Sequence, residues 1–161
     1  MTNTERFDEF KSNVQQWATD RGIYANGKAS SQLLKALSEL GELADGIAKN
    51  DREAIKDGVG DVSVCLVNYC TMTDLPIYTP KLERDKQYTN EESLGVIAAQ
   101  IGGELRGFDT MYTDAIIDHL CYISALNGLY FLDCCDHAWN EIKDRKGFLN
   151  ENGVFVKESK Q

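Results

Sequence analysis

An all-α antiparallel bundle of about five helices, closed by a short extended or hairpin C-terminal tail, is the fold this chain predicts. Three observations predict it. Apolar residues recur at the 3.6-residue helical period through most of the 161 residues. The two prolines, Pro76 and Pro80, fall together in one polar stretch and interrupt no periodic segment. Strand-like signals gather at the C-terminal end, where Asn152-Gly153 stands between short apolar runs.

The elements follow in order. A first helix is expected over residues 5–19, ending near Arg21-Gly22, and residues 24–28 form a loop around the Asn26-Gly27 turn signal. Ser30 or Ser31 is placed to cap a second helix that runs to Lys49. Its apolar stripe is Leu33, Leu37, Leu40, Ala44 and Ile47, with Gln32, Lys35, Glu39 and Glu42 on the other side. Asn50-Asp51 breaks and caps, and a third helix runs to Thr73. There Ile55, Val59, Val62, Leu66 and Tyr69 form the stripe, while Asp57, Asp61, Val64 and Asn68 share the opposite face. The β-branched run 62–67 could make a buried strand, but the helical pattern around it favours helix. Residues 74–90 read as a long linker. A fourth helix spans 91–106, a turn follows at 107–109, and a long fifth helix spans 112–144 with a kink near Gly128.

The chain reads as one domain, residues 1–161, long enough to bury a real core. Its formal charge of −9 argues against a broad nucleic-acid surface. It leaves open a nucleotide held through metal ions. No run has the length of a membrane span, and the first ten residues lack the apolar centre of a signal peptide, so a cytoplasmic setting is expected. Five cysteines at 65, 70, 121, 134 and 135 lie mostly in apolar helical stretches, which predicts reduced, buried thiols. His119 and His137 show no partner in the sequence. Leu34 and Leu43 stand outside the second helix's stripe and offer apolar surface, so self-association as a dimer is expected.

The acids carry the chemistry. Glu39 and Glu42 are three residues apart, and Asp57 and Asp61 four apart, so each pair projects from one helix face. Two such helices packed antiparallel would gather four carboxylates. Such a cluster repels itself and persists at neutral pH only with a cation. Oxygen-only ligands select Mg²⁺, with Mn²⁺ as the alternative. A degenerate repeat echoes this arrangement across residues 29–73 and 91–144: Gly41-Glu42-Leu43 with Gly103-Glu104-Leu105, and Asp57/Asp61 with Asp114/Asp118. Ile101 stands where Glu39 would be matched.

The ordered set of these stretches resembles the MazG-like all-α nucleoside triphosphate pyrophosphohydrolases. Glu39-Leu-Gly-Glu42-Leu followed by Lys56-Asp57-Gly-Val-Gly-Asp61-Val carries the likeness, with Trp17–Ile23 and Gln32–Lys35 before it and Glu141–Gly147 and Gly153–Lys157 after it. One departure stands out: the usual second motif is ExxD, yet position 58 is glycine and the acid is Asp57. The resemblance implies Mg²⁺ on Glu39, Glu42, Asp57 and Asp61, a nucleoside triphosphate substrate, and attack of water on the α-phosphorus to release pyrophosphate. Glu39 is the candidate general base. Lys35, Lys143, Arg145 and Lys146 are candidate phosphate ligands. Gln32, Asn68 and Trp17 are candidates for contacts to sugar or base. The different-class alternative is a non-catalytic helical module that binds a nucleotide on the same scaffold.

Overall fold

The computed structural model describes residues 1–109 and 111–159. Among them are seven helices and one two-stranded hairpin: α1 (Asn3–Asp20), α2 (Ile23–Asn26), α3 (Ala29–Ala48), α4 (Arg52–Thr73), α5 (Asn90–Leu105), α6 (Thr113–Leu126), α7 (Phe131–Ile142), β1 (Gly147–Leu149) and β2 (Phe155–Lys157). The all-α expectation stands, with two helices more than expected. One is α2, a single turn inside the expected loop at 24–28. The other arises because the expected fifth helix is two.

α4 organises the rest. From Gly58 to Cys70 every residue except Asp61 is buried. Val62, Val64, Leu66 and Val67 face different directions around the helix, and each is covered by a neighbour. A helix apolar on all sides must be sheathed, and α3, α7, α1 and α6 supply the sheath. The closest approaches fall at two glycines. A Cβ on Gly58 would lie 2.7 Å from the Leu43 Cβ, and one on Gly60 would lie 2.3 Å from the Cys134 carbonyl oxygen and 2.7 Å from the Ala138 Cβ. Position 58 therefore has no room for a larger side chain.

This close packing also corrects the stripe on α3. The buried positions are Leu33, Ala36, Glu39, Leu40, Leu43 and Gly46, whereas Leu37 is exposed. Leu43 presses on Gly58 and turns the helix towards α4, so Leu43 belongs to the core and not to an outer surface. Leu34 and Leu37 are the large apolar side chains that α3 leaves exposed. The α3 N-cap is Lys28, with no side-chain cap, in place of Ser30 or Ser31. Asp51 caps α4 as its position suggests, accepting from the Ala54 amide at 3.1 Å. Val64 and Asn68 are buried, not solvated, on the face expected to be polar.

α6 and α7 meet at 102°, a full break and not a kink. Gly128 takes φ +67, the Leu129 amide reaches back to the Ser124 carbonyl at 2.9 Å, and the Gly128 amide bonds the Ala125 carbonyl at 3.2 Å. That pair of bonds is a Schellman terminus. No single helix among the described residues is long and apolar enough to cross a membrane. All five cysteines are free and buried. The linker over 74–89 is non-helical as expected, and it is tied down: Arg84 pairs with Asp118, and Thr113 donates to the Pro76 carbonyl at 3.0 Å.

β1 and β2 pair antiparallel with Phe148 opposite Val156. Asn150 Oδ1 accepts the amides of Asn152 and Val154 at 2.9 and 3.0 Å and sets the turn. Phe155 packs edge-on against Trp17, with ring centroids 5.5 Å apart.

The glycine contacts make a testable point. Gly60→Ala should lower the unfolding free energy by about 1–3 kcal/mol through overpacking against α7. Gly41→Ala, where an added methyl meets nothing within 4 Å, should leave it unchanged or raise it by up to about 1 kcal/mol. Urea unfolding of both variants checks this; equal effects would refute the packing account.

Candidate functional site

A cavity of about 110 Å³ opens where α1, α2, α3, α4, the end of α7 and the hairpin meet. Seven of the residues singled out in the sequence line it: Trp17, Gln32, Lys35, Glu39, Asp61, Asn68 and Arg145. The helical period explains part of this. Gln32, Lys35 and Glu39 lie along one side of α3, and Asp61 and Asn68 are two turns apart on α4. The rest needed the tertiary fold. Arg145 arrives from the chain after α7, and Val154 and Phe155 come from the hairpin. Ile23, Val64, Cys65 and Ile142 add further lining. Sequence reasoning placed Val64 on the face of Asp61 and Asn68 but named no other apolar wall as part of the site, although the apolar pair Val154-Phe155 beside the Asn152-Gly153 turn was a usable signal.

Glu39 and Asp61 give the cavity its charge. Glu39 is buried and forms an ion pair with Lys35 at 2.5 Å. Burial disfavours the Lys35 ammonium, yet the Glu39 hydrogen bond and the charges of Glu39 and Glu42 outweigh it and raise its pKa. Asp61 is half-buried. Burial first, then the like charges of Glu39 and Asp57, push its pKa up to about 6, against the pull of Arg145 and Lys35. Cys65 lies one turn beyond Asp61, and burial pushes its thiol upward, so it stays protonated. Arg145 makes no ion pair among the described residues, while its backbone carbonyl accepts from Arg21 Nε at 2.8 Å.

Of the neutral lining groups, Asn68 is 2% exposed and its Oδ1 accepts from the Tyr24 hydroxyl at 2.7 Å. Trp17 is also buried, stacked under the Arg21 guanidinium, and its indole N–H has no partner. Tyr24 is a residue that the sequence gave no reason to single out.

Four candidates lie elsewhere. Glu42 is exposed and borders a separate surface cleft with Asp45 and Lys49. Asp57 pairs with His137, which corrects the reading of that histidine as partnerless. Lys143 donates to Asn140 at 3.0 Å, and Lys146 is exposed. His119 also has a partner, Ser93 Oγ at 3.0 Å. Among the described residues no group of three Asp, Glu, His or Cys side chains is gathered as if around one ion. In the second half of the repeat, Glu104 accepts from the Tyr69 hydroxyl at 2.5 Å and Asp118 is paired with Arg84.

The donor set still suits a hard divalent cation. It is oxygen-only, and burial together with the like charges of Glu39 and Asp57 pushes the Asp61 pKa up to about 6, so its charge is short of compensation.

Comparison with known proteins gives one relative to report. A stretch of 55 residues is 42% identical to the "Uncharacterized 18.2 kDa protein in rep-hol intergenic region" of Haemophilus phage HP1 (strain HP1c1), and it covers 34% of this chain and 34% of that protein. The match thus spans about a third of the relative's length. No family model matches the chain, and no solved structure matches it.

Asp61 makes stability depend on pH. Its folded pKa of about 6 exceeds the ordinary 3.8, so between those values the folded chain binds more protons than the unfolded one. Stability therefore falls as pH rises from about 4 to about 6, and the loss is complete above that. Converted at about 1.36 kcal/mol per pH unit, the loss is about 3 kcal/mol. Asp61→Asn should remove this component: the variant should be as stable as the parent near pH 4 and more stable at pH 7.5 without metal. Urea unfolding across that range checks it, and a parental pH slope in the variant would contradict it.

Proposed function

We propose that this chain is a Mg²⁺-dependent, MazG-like nucleotide pyrophosphohydrolase that cleaves a (deoxy)nucleoside triphosphate to the monophosphate and pyrophosphate. The observation that carries the reading is one cavity lined by two chemically different kinds of side chain: apolar groups and neutral amides on the one hand, and Glu39, Asp61, Lys35 and Arg145 on the other. A nucleotide has the same two kinds of surface. Its base suits the apolar groups and amides, and its phosphates suit the charged ones.

Glu39 and Asp61 would hold the metal, with Glu42 and Asp57 available from the adjoining turns. When bound, Mg²⁺ neutralises phosphate charge and lowers the pKa of water; Mn²⁺ can serve the same purpose. The protein's own groups do the remaining work. Arg145 can grip a phosphate through two N–H groups. Lys35, paired with Glu39, adds a positive charge beside it, and the exposed Lys143 and Lys146 extend that field. Glu39, buried and hydrogen-bonded, is the carboxylate placed to hold a proton taken from water. Gln32 and Trp17 border the nucleoside, and the hairpin excludes solvent from it. Self-association as a dimer belongs to the same reading, with the exposed Leu34 and Leu37 as the surface that favours it.

A specific observation favours the second reading, a nucleotide-binding module without turnover. Asp57 is engaged with His137 and Glu42 faces outward, so two of the four acids line the cavity.

Pyrophosphate release from a panel of common and damaged nucleoside triphosphates with Mg²⁺ separates the two. Turnover should be present, and Glu39→Gln or Asp61→Asn should reduce it by at least about 100-fold, the scale of a lost general base or metal ligand. Asp57→Asn should have the milder effect. Full activity in either of the first two variants would overturn the hydrolase reading, and binding without release would establish the module.

A further inference from the structure

Gly58 and Gly60 have a reason inside the chain: a packed helix leaves no space for a Cβ. On α5 that reason is missing. A Cβ on Gly95 or Gly102 would meet nothing within 4 Å, and a glycine in a helix interior is a cost relative to alanine. Both glycines belong to one face. At about 100° per residue, Glu91, Gly95, Ala98, Ala99, Gly102 and Arg106 fall on a single strip of α5. Ser93, Ile97 and Ile101 are buried on the other side. Five of the six strip residues are exposed, and Gly102 is half-buried. Leu105 adds an exposed apolar side chain, and the neighbouring α3 leaves Leu34 and Leu37 exposed.

The strip is charged at its two ends alone. Glu91 and Arg106 stand there, and neither forms an ion pair among the described residues. The adjacent Glu92 is engaged in the capping box with Thr89. From either end the strip reads with the same spacings, 4, 3, 1, 3 and 4 residues, and with opposite charge at the two ends. Such a face is complementary to itself. Laid antiparallel about a two-fold axis between positions 98 and 99, it sets Gly95 against the partner subunit's Gly102 and Glu91 against the partner subunit's Arg106, each pair twice. Small side chains allow the two helices a close approach, and antiparallel helix dipoles attract. A parallel pairing would set like charge against like at both ends.

We infer that α5 is the centre of a two-fold symmetric interface between two copies of this chain, closed by Glu91–Arg106 ion pairs across the axis. This deepens the self-association proposed above by naming its surface, and it does not depend on catalysis.

Sedimentation equilibrium of the full-length protein at about 100 μM should give the mass of two chains. Glu91→Arg and Arg106→Glu each set like charges face to face, and each should raise the dimer dissociation constant at least about ten-fold. The double variant exchanges the charges and should return the constant to within about three-fold of the parent value. Ala98→Glu crowds two carboxylates at the axis and should sediment as one chain with an unchanged helical circular dichroism spectrum. The native cysteines are buried, so Ala98→Cys should give a disulfide-linked dimer on oxidation with diamide, whereas Ser12→Cys, on an exposed position of α1, should not. A monomeric parent, an assembly larger than two chains, or a double variant no tighter than the single ones overturns the inference. A dimer that survives Ala98→Glu also overturns it: the copies then meet on another face, and self-association stands without this interface. Pyrophosphate release is measured on the parent in parallel. Its absence beside an intact α5 dimer rejects the hydrolase reading alone.

Discussion

A helix buried on every side leaves few places for polar chemistry, and in this protein the interruption is Asp61. α4 runs through the centre of the fold, and its neighbours approach so closely at Gly58 and Gly60 that neither position tolerates a side chain. The buried Ser63, Asn68 and Tyr69 of α4 each have a partner. Ser63 donates to the Val59 carbonyl at 2.8 Å, Tyr69 to Glu104, and Asn68 accepts from Tyr24. Asp61 makes no such bond. It meets the cavity, and the cavity exists there because the sheath of helices has a gap at that residue. The packing of α4 thus decides both the fold and the position of the site.

Electrostatics follow from that placement. Taking a carboxylate out of water costs several kcal/mol unless cations or donors compensate. Around Asp61 the compensation is incomplete. Lys35 is already committed to Glu39, and Arg145 reaches Asp61 only through its field. The result is a group whose pKa is lifted to about 6 in a chain with a formal charge of −9. A fold optimised for stability alone would carry a neutral residue at 61. Carboxylates held under such tension collect at functional sites, and that is the physical argument for locating chemistry here and not at the Glu42–Lys49 cleft, where the groups are exposed and solvated.

Much of this was legible in the chain, and the unread part has physical causes. The helix count erred at Gly128 because a glycine inside a periodic run can end a helix or merely weaken it, and only the Schellman bonds decide. On α3, Leu33, Leu34, Leu37, Leu40 and Leu43 offer two overlapping stripes. The sequence period cannot choose between them, and the choice fell to the partner: Leu43 fits Gly58. That same rotation buries Glu39 while Glu42 stays outside, so two acids that look equivalent at i,i+3 differ in environment. The Asp57–His137 pair joins residues 80 positions apart, and the Tyr24–Asn68 bond spans 44. No local pattern carries contacts of that kind. Asp61 and Asn68 were readable together because they stand two turns apart on one face of α4.

The hairpin shows how little structure completes the cavity. Two strands of three residues are marginal by themselves, and their alternation puts Phe155 against Trp17 while Val156 points outward. A slip of one residue would exchange these two faces and remove the wall that Phe155 provides. What prevents the slip lies partly in the turn, where Asn150 collects two amides, and partly in Arg21, which stacks on Trp17 and holds the Arg145 carbonyl just before β1. Arg21 therefore links the Trp17 wall to the segment that carries the Arg145 cation. The apolar Trp17 wall and the Arg145 segment are thus tied together by one side chain just after α1, so a ligand touching both would read a single connected unit and not two independent patches.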